Sequence, residues 1–122
     1  MNYEEKSNLE INKRVASYMG GFVGRTGDWL KDGVKVTDSR EGLFYTERSY
    51  CHKVEDAWPI IVENGITILF DDYDGSCEVL YDYKCKDTHE ILTDWIDIKS
   101  NEKDKILRAA MICFLKKKDR DM

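Results

Sequence analysis

Near the start of the chain Ile11, Val15, Tyr18 and Met19 fall at i, i+4, i+7 and i+8, the spacing of one helix face. Ser7 precedes Glu10 by three positions, the interval of a capping box, in which each side chain satisfies the other's exposed backbone donor. Gly20-Gly21 accept the left-handed backbone that closes a helix end. The pattern predicts an amphipathic helix over residues 8–19. Six of the eight glycines then fall between Gly20 and Gly42, a density of turns and short strands. Within that stretch Val34-Lys-Val-Thr37 alternates as a half-buried strand does, and Leu43-Phe-Tyr-Thr46 is rich in strand-forming types.

Asp56 is a good N-cap, and Pro59 suits the first turn of a helix, where its missing N–H has no intrahelical partner to lose. With Gly65 as the stop, a short helix is predicted over 57–64, its apolar run buried against a sheet. Ile66–Phe70 and Cys77–Tyr83 then flank an Asp-Gly turn and predict a hairpin. The aspartates before Gly75 raise a calcium loop. An EF-hand would need oxygen ligands where Phe70 and Tyr81 stand, so a solvated turn is expected. Residues 90–98 read as a strand ending in the alternating Trp95-Ile-Asp-Ile98, with a helix after Thr88 as the alternative.

Asn101 and Asp104 supply an N-cap and a first-turn acid for a last helix over 102–117. Its apolar face is Leu107, Ala110, Met111 and Phe114, and residues 119–122 are expected to fray. The connections are too short for parallel crossovers. This order predicts an α+β fold: a single compact sandwich of a mostly antiparallel sheet with about three packed helices, one domain over 1–122.

Composition narrows the partners. Nineteen Lys and Arg against 24 Asp and Glu give a formal charge of −5, which disfavours a broad nucleic-acid surface. The apolar share of 42% suits a globular chain. No apolar run approaches the ~18 residues of a membrane span, and the opening Met-Asn-Tyr-Glu-Glu-Lys lacks a hydrophobic signal region. A cytoplasmic protein with no membrane partner is expected. Cys51, Cys77, Cys85 and Cys113 form no C-x-x-C pair. Cys51, His52, Cys85 and His89 assemble on paper into a four-ligand zinc set, but their spacings fit no standard finger. Free thiols, with no metal and no cofactor, are the expectation.

Three blocks carry a family resemblance: Leu9-Glu-Ile-Asn-Lys-Arg-Val-Ala16, Asp56-Ala-Trp-Pro-Ile-Ile-Val-Glu-Asn64 and Leu107-Arg-Ala-Ala-Met-Ile112. In order and rough spacing they resemble the NinX-like family of small phage and prophage proteins, a domain of unknown function. The stretches 20–54 and 66–100 match that family poorly. More distantly, the element order and the Arg108-Ala109-Ala110 step resemble small phage α+β sandwich domains that include a Thoeris anti-defence sponge. That resemblance implies a protein that binds a nucleotide-derived immune signal and holds it intact, with Arg108 carried over as a contact.

No nucleophile elbow, phosphate loop or dinucleotide fingerprint is present, so no enzymatic activity is expected. His52 and His89 are flanked by charge and read as exposed. A nucleotide ligand needs donors for phosphate, for which Arg25, Arg48 and Arg108 are candidates. It also needs a stacking face, for which Tyr45, Trp58 and Trp95 are candidates. Trp58 reads equally as a core anchor of its helix, and Arg108 as a tie to an acidic neighbour. Together with the resemblance, these residues give the expectation of a phage accessory protein that sequesters a cyclic oligonucleotide or a cyclic ADP-ribose type signal. The alternative is an acidic module that modulates a host protein through Asp71, Asp72, Asp74, Glu78 and Asp82. Aromatic-rich faces on a small chain also predict a homodimer or larger self-assembly.

Overall fold

The computed structural model describes residues 2–19, 22–23, 34–37 and 45–121; for 22–23, 34–37, 45–48 and 121 the description covers the backbone. Helix α1 spans Asn8–Tyr18, with the Ser7 hydroxyl accepting the Glu10 N–H at 3.2 Å. Only that half of the predicted box forms, because the Glu10 carboxylate turns to Arg14 at 3.5 Å. Ile11 and Val15 are buried, while Tyr18 sets its ring edge-on to Phe114 at 6.0 Å. Gly20 and Gly21, the predicted stop, lie outside the described residues.

Strands β1 (Phe22–Val23), β2 (Val34–Thr37) and β3 (Tyr45–Arg48) pair antiparallel in that order. A second antiparallel sheet runs β4 (Thr67–Phe70), β5 (Cys77–Lys84) and β6 (Ile91–Ile98). The fold is α+β and antiparallel, with the strands divided between two three-stranded sheets among the described residues. Residues 91–98 are a strand, as the Trp95–Ile98 alternation predicts.

Helix α2 (Val54–Glu63) begins three residues before its predicted start, with Lys53 as N-cap. Asp56 does not cap it. Its carboxylate is buried and accepts the Ser49 N–H at 2.9 Å, so it ties the preceding turn to the helix. Pro59 therefore lies in the second turn, where its missing N–H leaves the Glu55 carbonyl without an intrahelical donor. Nor is α2 buried against a sheet: it packs on the last helix through Ala57, Ile60 and Ile61, while Val54, Trp58 and Val62 face out.

A 3-10 segment, Ser100–Lys105, leads into helix α3 (Ile106–Asp121). Lys99 stands at the cap, so neither Asn101 nor Asp104 plays the predicted part. Residues 109–115 are buried without interruption, because α3 lies between the β4–β6 sheet and the pair α1 and α2. A helix buried on every side belongs to the centre of a core. Its last turn, expected to fray, continues to Asp121. Asp119 accepts hydrogen bonds from the Tyr3 and Tyr18 hydroxyls. Arg120 donates to the Tyr81 hydroxyl at 2.9 Å and to Asp94 at 3.3 Å, with its guanidinium 3.8 Å from the Tyr83 ring centre. No helix among the described residues is long and apolar enough to cross a membrane.

Candidate functional site

Arg108 leaves the first turn of α3 and reaches back to the start of the chain. Nη1 donates to Asn8 Oδ1 at 2.6 Å, and Nη2 donates to the carbonyls of Lys6 at 2.5 Å and Glu4 at 3.1 Å. All three acceptors are neutral. No carboxylate of the described residues pairs with this guanidinium, so its charge is held in place and not cancelled. Five N–H groups radiate from an arginine head, and these bonds take three of them.

Asn8 passes the contact on. With its oxygen taken by Arg108, its amide nitrogen lies 3.4 Å from His52 Nε2, and His52 Nδ1 lies 3.3 Å from Ser49 Oγ. The direction of the His52–Ser49 contact follows the imidazole tautomer. Ser49 and Cys51 are fixed in turn: Asp56 accepts from Ser49 N–H, and buried Asn12 accepts from Cys51 N–H at 3.0 Å.

Arg108, Asn8, Cys51 and His52 line a cavity of about 580 Å³, within the ~300–1,000 Å³ usual for small-ligand sites. Its apolar wall is Cys51, Ile96, Ile98, Ala109 and Ile112. Lys6, Lys105 and Asp104 add charge at the rim. Two of the neighbouring acids are engaged, Glu4 with Lys116 at 3.3 Å and Glu102 with Lys105 at 3.0 Å. Both pairs are exposed, and the Lys105 ammonium holds the Glu102 carboxyl below its usual range.

Of the three expected ligand-binding residues whose side chains are described, Arg108, Trp58 and Trp95, only Arg108 lines this cavity. Trp58 is exposed on the outer side of α2, which removes its reading as a core anchor. Trp95 is also exposed; strand alternation turns it to the face of β6 opposite Ile96 and Ile98. Tyr45 and Arg48 lie in β3, where only the backbone is described, and Arg25 is outside the described residues. Arg108 is tied to neutral groups, not to the acidic neighbour that the sequence offered as its other role. Asn8 and Ser49 escaped the sequence reading, which names His52 only as an exposed histidine and a member of the zinc set. The one available signal was Asn8 beside the Ser7 cap, which fixes that side chain at a helix start.

Among the described residues no three His, Cys, Asp or Glu side chains converge as a metal site. Cys51 and His52 stand at the cavity, whereas Cys85 and His89 belong to the β5–β6 turn. The thiols differ. Burial pushes Cys113 up to about 12 and also raises Cys77. Hydrogen bonds from the Thr88 hydroxyl and the backbone N–H groups of Thr88 and Asp87 lower Cys85. Two of the three aspartates of the β4–β5 turn make local bonds: Asp71 accepts from Tyr73 N–H at 2.8 Å through one oxygen, and Asp74 accepts from Ser76 N–H at 2.9 Å and its hydroxyl at 2.6 Å.

Compared with protein-family models, curated proteins and solved structures, the chain finds no match.

Proposed function

We propose that this chain is a binding module that holds a phosphate-bearing, nucleotide-derived small molecule in the Arg108 cavity and releases it unchanged. The observation that carries this reading is a guanidinium fixed by three neutral acceptors, without a carboxylate partner among the described residues, in the wall of a ligand-sized hollow. A phosphate supplies the missing negative charge and accepts from a remaining N–H of the guanidinium. The aliphatic wall of Ile96, Ile98 and Ile112 receives the flat face of a base, in place of the aromatic stacking expected from the sequence. Under the resemblance to small phage proteins, such a module would be an accessory protein that keeps an immune signal from its receptor.

Calorimetric titration with cyclic dinucleotides, cyclic trinucleotides and cyclic ADP-ribose isomers tests the reading. One of these classes is expected to bind one per chain at micromolar affinity or better, about 8 kcal/mol. The ligand recovered after denaturation is expected to be intact. Lys6→Ala, which leaves the Lys6 carbonyl in place, weakens binding roughly tenfold with an unchanged melting temperature. Arg108→Gln abolishes binding and costs stability of about 1.5–3 kcal/mol from the lost charge-assisted bonds. Absence of binding in every class overturns the proposal, and cleaved ligand replaces it with an enzyme.

A further inference from the structure

The outward face of the β4–β6 sheet carries a second arrangement, which shares only Asp97 with the lining of the Arg108 cavity. Register places Leu69, Glu78 and Asp97 in one row across the three strands, and Thr67, Leu80 and Trp95 in the next. Glu78 and Asp97 are therefore directly opposite each other, and like charges in that position destabilise a sheet. Leu69 and Trp95 are 52% and 54% exposed beside them. Lys84 is the only base that alternation turns out of this face within β4–β6. Where β4 ends, a hollow of about 370 Å³ continues the surface, lined by Leu69, Phe70, Tyr73, Asp71, Asp72 and Glu78. It joins aromatic rings to carboxylates, a combination that suits cationic side chains with aliphatic stems.

We propose that this face docks a basic amphipathic segment of another protein. Its Lys or Arg heads sit between Glu78 and Asp97 and over the Asp71–Asp72 hollow. Its apolar side chains cover Leu69, Leu80 and Trp95. The sign of the charge selects the occupant. Anionic lipid and phosphate ligands are repelled. A second copy meeting this face through a two-fold axis would set carboxylates against carboxylates.

The test titrates the full chain with a synthetic amphipathic Lys/Leu peptide at low salt, beside a Glu/Leu peptide of the same pattern and an oligolysine of equal charge. The Lys/Leu peptide is expected to bind, with affinity falling as salt rises. Glu78→Lys combined with Asp97→Lys weakens it at least tenfold, as does Trp95→Ser, and Trp58→Ser on α2 leaves it unchanged. These side chains are exposed, so melting temperatures of the variants confirm that the fold persists. Equal binding of oligolysine, undiminished binding by the charge-reversed chain, or self-association through Trp95 seen in sedimentation would each overturn the proposal. Arg108→Gln leaves peptide binding intact, which separates this face from the cavity.

Discussion

Arg108 bonds to residues 100 or more positions away, and that separation is why its surroundings were not legible in the sequence. Local pattern places it on a helix face; only the fold decides whether its partner is a carboxylate, a carbonyl or a ligand. Asn12 is a similar case, a buried polar side chain on α1 whose acceptor oxygen is matched to the Cys51 N–H in another segment. The cysteines carry a prediction at this scale. Cys51, Cys77 and Cys113 are buried, whereas Cys85 is partly exposed with its thiol lowered by the turn around it. Since the thiolate is the reactive species, a chromogenic disulfide is expected to modify one thiol of the native chain rapidly, assigned by peptide mass to Cys85. In denaturant all four react, and two or more rapid thiols in the native chain would contradict the burial pattern.

Elements were legible where periodicity and a cap agree, as in α1 and the β4–β5 hairpin. They shifted where a candidate cap had a better use. Asp56 satisfies Ser49 from inside α2, so the helix starts earlier than a capping rule suggests. The final helix shows the opposite limit: a run buried on all sides has no polar face, and so its periodicity understates its burial. Phe114 in the middle of α3 and Trp58 on α2 differ in position more than in chemistry. Phe114→Ala is expected to cost about 3–5 kcal/mol through the cavity it leaves. Trp58→Ser changes stability by no more than about 0.5 kcal/mol. Chemical denaturation of both variants measures the contrast.

At the scale of the molecule, alternation told strand from helix but not which strands share a sheet, because pairing depends on how the helices divide the core. The hydroxyl contacts that join the chain's early and late elements give a pH signature. Burial pushes the Tyr81 phenol up to about 12 and raises Tyr3 as well, the latter also through its bond to Asp119. A phenol held protonated in the fold stabilises it fully below the ordinary value of about 10 and loses that contribution as pH rises through the folded value. Stability is therefore expected to fall between about pH 10 and 12, with phenolate absorbance and unfolding rising together. Tyr81→Phe makes that fall shallower; an unchanged slope would count against the coupling. The central position of α3 has a further consequence, for synthesis. Among the described residues the β4–β6 sheet meets α1 and α2 chiefly through residues 106–121, so a ribosome that has made the first hundred residues holds these parts without the element that packs them together. Domains form as units during translation at ~5–20 residues per second, and this one is expected to stay protease-sensitive on stalled ribosomes until its last helix has left the exit tunnel.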